Sequence, residues 1–480
     1  MLLTVASLNA DSMFTCFDKE GHMSNTNAVI EKESRKTPMW KKICYGSGAA
    51  GGNVMSTLLA SFLLSYYTDT AMLNAIAIGT MFVVCRLLDG VTDIAMGSIV
   101  DKTNTKLGKA RPWLILSAPL IGIGIVLILS VPSGWSEAGK MVYAYLTYIF
   151  LNCVAYTIFG IAHAALLARM TRNPMDRNTT SVVSSICNNL AGLVVGTAIT
   201  GLTIKFGWTV TGIVLGIIAC VLILIPGLTI KEVVGMTDEG VEKNDILPLK
   251  QQIPAVLKNR YFWLCIGVGA LTLLMNANAI ASQIFYCNVV LGEPMFMTQL
   301  MSIGQLPGII ILFFMPWFSN KFSKRNFMLI GTGCLVAGFA VLGFAGTSHS
   351  LLLAGTILRS IGAGPIFAGI YALIADACDY GEWKTGIRSE GLMSASQSVG
   401  SKVGIGFGSA ITGWIIGLAG YNGAAAVQTD AVKSAIVFDF SWLGLIISIA
   451  LFFCILFMDV EKYLPEIRAS LGEKTVKRSK

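Results

Sequence analysis

An all-α membrane protein of twelve transmembrane helices, arranged as two six-helix bundles, is the fold this sequence predicts. Three observations carry the prediction. Of the 480 residues, 54% are hydrophobic and only 13% charged, and the mean hydropathy is +0.69; a water-soluble chain of this size needs far more polar surface. Twelve apolar runs, each long enough to cross a bilayer, recur along the chain. A polar segment, 230–260, divides them six and six.

In chain order, residues 1–42 form a polar N-terminal segment. Met1–Ala10 is only briefly apolar, lacks a basic leader and runs into Asp11, so no signal peptide is expected and Met23 is an alternative start. The first bundle, 43–229, carries spans 43–68, 74–99, 113–131, 140–168, 181–204 and 209–229. The second, 261–458, carries 261–290, 297–319, 326–346, 351–376, 391–418 and 434–458, followed by a tail, 459–480. The loop after the second span, Asp101-Lys102-Thr-Asn-Thr-Lys106-Leu-Gly108-Lys109-Ala-Arg111-Pro112-Trp113, is echoed after the eighth by the shorter basic turn Asn320-Lys321-Phe-Ser-Lys324-Arg325. Two halves related by pseudo-symmetry place a substrate site between them near the bilayer midplane.

Charge sets the orientation. Of the 35 lysines and arginines, only Lys140, Lys205 and Lys433 fall in one set of loops, and Arg86, Arg359 and Lys402 lie within spans; the others share the opposite side. The positive-inside rule makes that side cytoplasmic, with both termini and the central loop. The +8 net charge therefore belongs to membrane topology and indicates no nucleic-acid partner. The eleven cysteines include no C-x-x-C pair, so neither a zinc site nor a disulfide framework is indicated. Fifty glycines suit close helix packing in lipid.

The stretch Arg86-Leu-Leu-Asp89-Gly-Val-Thr-Asp93-Ile-Ala-Met-Gly97 carries the chemistry. Asp89 and Asp93 lie one helical turn apart on one face, and Arg86 shares it. Hydrocarbon cannot solvate ionised side chains, so two acids and one base at this depth read as an ion or proton site, or as a charge pair pinning two helices. Two acids for one base leave an acid over, which favours the ion site. No nucleophile–base pair, metal cluster or nucleotide-binding loop is present, so neither an enzyme nor an ATP-driven pump is expected, and no cofactor beyond a coupling ion.

These residues resemble the glycoside–pentoside–hexuronide:cation symporters, the melibiose permease family of the major facilitator superfamily. The resemblance rests on Arg86 to Gly97 with Asp101, Gly108-Lys109 and Arg111-Pro112. It extends to Asp376-Ala-Cys-Asp379-Tyr380-Gly381-Glu382-Trp383-Lys384-Thr-Gly-Ile-Arg388-Ser-Glu390-Gly391 and Gln397-Ser398-Val-Gly-Ser-Lys402. Tyr45-Gly46-Ser47-Gly48 before Asn53, and Tyr66-Tyr67-Thr68-Asp69, complete it. It implies that Asp89, Asp93, Thr92 and Thr157 bind the coupling cation and that Lys402 neutralises the acids when the cation is absent. The family's asparagine between the acids is Thr92 here; losing an amide oxygen shifts the expectation from sodium towards a proton, which needs only a carboxylate of suitable pKa.

For substrate, the resemblance points to Asn53, Tyr156, Gly160, Phe367, Ser398 and Lys402. Asn53 and Gly160 stand where melibiose permease has aspartates, and Ser185 where it has an arginine, so a galactoside pocket of that kind is not expected. An amide at position 53 and Val142-Tyr-Ala-Tyr-Leu-Thr-Tyr148 are similar to the glucuronide permease. Carboxylates would repel a sugar acid, whereas an uncharged pocket beside a lysine or arginine would not. Arg359 either faces that cavity or snorkels to the interface. His163 either meets substrate or bonds a neighbouring helix, the latter favoured; of Asn276 and Asn278, one is expected to face the cavity. Lys109, Arg111, Arg177, Asp376, Asp379, Glu382, Arg388 and Glu390, with Lys384, are expected to form cytoplasmic gate salt bridges. The function expected is cation-coupled import of a glycoside or sugar acid across the cytoplasmic membrane. The alternatives are a lysolipid-type carrier and a non-transporting sensor, against which the short tail counts.

Overall fold

The structure is a computed structural model that describes residues 37–171, 173–233, 249–304, 306–307, 310, 323–387, 389–467 and 470. Lipid offers the backbone no hydrogen-bond partners, so apolar runs satisfy their amides internally as helices. The elements are α1 (Met39–Ser61), α2 (Ala75–Lys102), α3 (Arg111–Ile128), α4 (Glu137–Met170) and α5 (Pro174–Thr229). They continue with α6 (Leu249–Leu257), α7 (Arg260–Phe285), α8 (Lys324–Phe344), α9 (His349–Thr385) and α10 (Glu390–Leu418). The last is α11 (Asp430–Val437), continued by Phe438–Trp442 and Leu443–Leu456. Among the described residues nine helices are long and apolar enough to cross a membrane, or ten when α1 is joined to Leu63–Thr70 across a 51° bend.

Polar side chains set the helix starts. Asn74 accepts from the amides of Ile76 and Ala77 at 2.9 and 3.2 Å at the head of α2, and Asn173, Asn259, Ser323 and Thr429 cap α5, α7, α8 and α11 alike. Two predicted spans, 181–204 and 209–229, both lie in α5. Asn53 meets Asn188, and Gly51, two residues earlier on α1, meets Ile223, so the chain doubles back at Gly207, whose φ is +77°. Of the predicted span 297–319, residues 296–304 are helical and most of the remainder lies outside the described residues, as do 1–36 and 234–248. The end of the predicted polar linker is helical, as α6.

Helices α1, α3, α4 and α5 pack mainly within one group and α7–α11 within another; α2 packs most on α10, and the two groups meet there and along α1–α7. The groups repeat one another's contacts. Tyr66 and Tyr286 occupy π-helical turns that follow α1 and α7. Tyr66 Oη accepts from Val131 N at 3.1 Å, and Tyr286 Oη donates to Gly346 O at 2.5 Å, each reaching its group's next hairpin at the sparsely charged end. At the basic end Arg111 donates to the carbonyls of Gly227 and Leu228, and Arg325 to those of Ile455 and Leu456. Glu232 accepts from the amides of Lys109, Ala110 and Arg111 at 2.8–3.1 Å; Glu461 accepts from Arg325 N at 3.4 Å. A carboxylate at a helix N-terminus and a guanidinium at a C-terminus each meet groups the helix leaves unpaired. Gly108, at φ +108°, admits Glu232: an added Cβ would lie 2.5 Å from its carboxylate.

Candidate functional site

Helix geometry puts Arg86, Asp89 and Asp93 on one side of α2, and packing decides what they meet. Arg86 Nη1 donates to Asp89 Oδ2 at 3.0 Å, and Asn152 Nδ2 on α4 donates to the same oxygen at 2.8 Å. Asp89 is buried, and its Oδ1 has no hydrogen-bond partner. Thr92 Oγ1 bonds to the carbonyls of Leu88 and Asp89 and lies 3.5 Å from Thr157 Oγ1. Asp93 pairs with Lys402 Nζ from α10, an ion pair that joins the two helix groups. The acid left over in the sequence count thus has its own base, supplied across the fold. Asp93 is only partly buried, whereas the buried Asp89 demands its partners because desolvation is costly.

Two residues that build this cluster escaped sequence reasoning. Asn152 lies in the π-helical stretch Ile149–Tyr156, which brings it and Thr157 to the face α4 turns to α2. Its signal was an amide inside an apolar run, five residues before Thr157. Gly406 lies one turn beyond Lys402, and an added Cβ would sit 2.9 Å from Arg86 Cγ. That glycine lets the arginine lie against α10 on its way to Asp89.

Beside the cluster opens a central cavity of about 700 Å³, walled by residues of both helix groups. Asn53, Tyr156 and Phe367 are in its wall, with Asn276, Gln283, Arg86 and Arg359. Asn53 Nδ2 donates to Asn188 O at 2.6 Å, and Ser56 Oγ donates to Tyr156 Oη at 3.3 Å. Three residues expected at the substrate are not in the wall. Lys402 is held by Asp93, Ser398 lies exposed one turn before it, and the space beside Gly160 is empty of protein atoms within 4 Å of an added Cβ. Arg359 faces the cavity and does not reach the interface.

Asn276 lines the cavity, while Asn278 is buried and donates to Asp439 Oδ1 at 2.7 Å. His163 bonds Tyr45 O at 3.1 Å and stacks on the Tyr45 ring, so it ties α4 to α1 away from the cavity.

Of the expected gate residues, Lys109, Arg111, Arg177 and Asp376 bond, among the described residues, within their own helix group and not across the fold. Arg111 caps α5 as described, and Arg177 donates to the carbonyls of Ala168 and Thr171 at the end of α4. Lys109 gives its amide to Glu232 and its Nζ to Asp101 O. Asp376 pairs with Lys324 at 2.7 Å inside its own group; Asp379 and Glu382 lie near the end of α9, and Glu390 begins α10. Arg388 lies outside the described residues. Unpaired carbonyls at helix ends are nearer acceptors than acids across the fold, and they take the guanidiniums. At the opposite, sparsely charged end Tyr421 Oη donates to Asp69 Oδ1 at 2.8 Å, joining the two groups.

Apolar helices gathered round a central cavity, with two ion pairs near it, have the form of a membrane carrier. Residues 44–462 match the family model described as MFS/sugar transport protein, and the chain belongs to that family, within the glycoside–pentoside–hexuronide:cation symporters. It is 27% identical over 458 residues to an isoprimeverose transporter of Lactiplantibacillus pentosus, covering 93% of this chain and 94% of that one. It is 33% identical over 408 residues to a glucuronide carrier protein homolog of Escherichia coli (strain K12), covering 82% and 86%. Among solved structures it resembles the nucleoside transporter NupG, with a TM-score of 0.60 at 14% identity over 87% of this chain and 98% of that one. A D-xylose-proton symporter matches with a TM-score of 0.60 at 11% identity over 86% and 97%.

Proposed function

We propose that this protein imports a glycoside, pentoside or hexuronide through the cytoplasmic membrane, coupled to a cation and working by alternating access with both termini in the cytoplasm. The observation that carries the proposal is the pairing of Asp89 with Arg86, which lines a cavity that draws on both helix groups, and of Asp93 with Lys402 one turn further along α2. A proton on the bare Oδ1 of Asp89 removes the charge that Arg86 balances, and a cation taken by Asp93 frees Lys402. The second event releases the ion pair between α2 and α10, so cation binding at Asp93 and the relative position of the two groups are linked. Threonine hydroxyls at Thr92 and Thr157 could join a sodium shell, but a proton needs neither, and proton coupling is the form favoured. The domains of the carrier are residues 43–229 and 261–458, supported by the repeated tyrosine, arginine and glutamate contacts. With the Asp69–Tyr421 end facing outward, the conformation seen is closed to the outside.

The test is alkalinisation of lightly buffered, de-energised cells on adding neutral glycosides, pentosides or glucuronides, with and without sodium. A pH rise with one sugar class is expected. Sodium-dependent uptake without a pH rise would make the aspartates a sodium site. Silence towards every sugar would overturn the proposal and favour the lysolipid or sensor alternatives.

A further inference from the structure

The cavity wall contains no carboxylate among the described residues, yet it holds two arginines. Arg86 is balanced by Asp89. Arg359 is not: among the described residues its guanidinium donates no hydrogen bond and meets no acid, its Nη1 is buried without a partner, and its one ring contact is Phe339 at 5.6 Å. A second donor in the same wall, Gln283 Nε2, is also buried and unpartnered. Gln283 lies eight residues before Leu291, where the π-helical turn after α7 ends, and Arg359 ten residues after His349, where α9 begins. Both are therefore roughly 12–15 Å below the sparsely charged end, at a similar depth.

Unmet buried donors are costly, most of all a charged one, and a guanidinium matches a carboxylate with two parallel hydrogen bonds. The other polar groups of the wall, Asn53, Ser56, Tyr156 and Asn276, are neutral and suit hydroxyls. We propose that Arg359, with Gln283, is the carboxylate subsite of the cavity, so that the substrate is a sugar acid glycoside and not a neutral one. The inference rests on the symport proposal and narrows its substrate class.

Uptake of labelled methyl β-D-glucuronide, methyl β-D-glucoside, methyl β-D-xyloside and glucose 1-phosphate by cells expressing the full chain tests it. The wild-type protein should prefer the glucuronide to the glucoside by about 30-fold or more in kcat/KM, the scale of a truncated buried charge pair. Arg359→Gln should erase that preference mainly by raising KM for the glucuronide, and Arg359→Lys should keep part of it. Should Arg359→Gln fail to reach the membrane, the wild-type preference and Arg359→Lys still decide. Cation-coupled uptake in which the wild type shows no preference for the glucuronide over the neutral glycosides, or in which Arg359→Gln keeps that preference in full, overturns the subsite and leaves symport standing. Preference for the phosphate overturns the carboxylate assignment. No uptake of any sugar overturns both proposals.

Discussion

Single side chains do the coupling here, and their effects are separable. Asp89 accepts from Arg86 and Asn152 on one oxygen and leaves the other bare, so its charge state is felt on α2 and α4 at once. Asp89→Asn fixes the neutral form: uphill accumulation should disappear, and downhill exchange across the same membrane should survive, as read by efflux counterflow. Full uphill transport by that variant would remove Asp89 from the cation site. Asn152→Ala removes a hydrogen bond to a buried carboxylate without touching a charge. Since such a bond is worth about 1.5–3 kcal/mol, the cation concentration for half-maximal uptake should shift by about tenfold or more. An unchanged value would make Asn152 a packing residue only.

At the scale of helices, small residues decide which surfaces touch. Gly400, Gly404 and Gly408 recur every four residues on α10, and an added Cβ at each would lie 2.3–2.6 Å from a backbone carbonyl of α7. The backbones therefore meet directly, as membrane helices do where no side chain intervenes. Gly404→Val should lower the melting temperature of the detergent-solubilised protein, with an overpacking cost of about 1–3 kcal/mol, while Gly267→Val, near only Cys454 at 3.7 Å, should not. Equal melting of both variants would contradict the α7–α10 interface. The small-residue spacing was visible in the sequence; its partner was not, since α7 lies more than a hundred residues away.

For the whole molecule, one end is fastened and several of the expected fasteners of the other serve elsewhere. Asp69 and Tyr421 join the two helix groups at the sparsely charged end, whereas Arg111, Arg177 and Asp376 are spent within their own groups. Tyr421→Phe removes the hydrogen bond but keeps the ring, which also meets Phe285 edge-on at 5.4 Å. The variant should populate the outward-open form more. A membrane-impermeant maleimide added outside should label Thr57→Cys, in the cavity wall, several-fold faster in a Tyr421→Phe background, above the reaction of the native cysteines. An unchanged rate would show that the closed end is held by other contacts.

What the sequence determined by itself was the solvent, the helical class, the charged face of α2 and the family. Each follows from composition or from spacing within one helix, which the local chain dictates. That is why Asp89, Asp93 and Arg86 were legible together, and why Asn276 and Asn278 could be separated by face. Only the tertiary structure decided which of the two acids Lys402 meets, that Asn152 and Gly406 complete the cluster, that Lys402, Ser398 and Gly160 stand outside the cavity wall, and that Arg359 faces inward. These depend on contacts between helices distant in sequence, where register, π-helical turns and a few missing side chains set which faces touch. Neither periodicity nor charge count encodes those quantities.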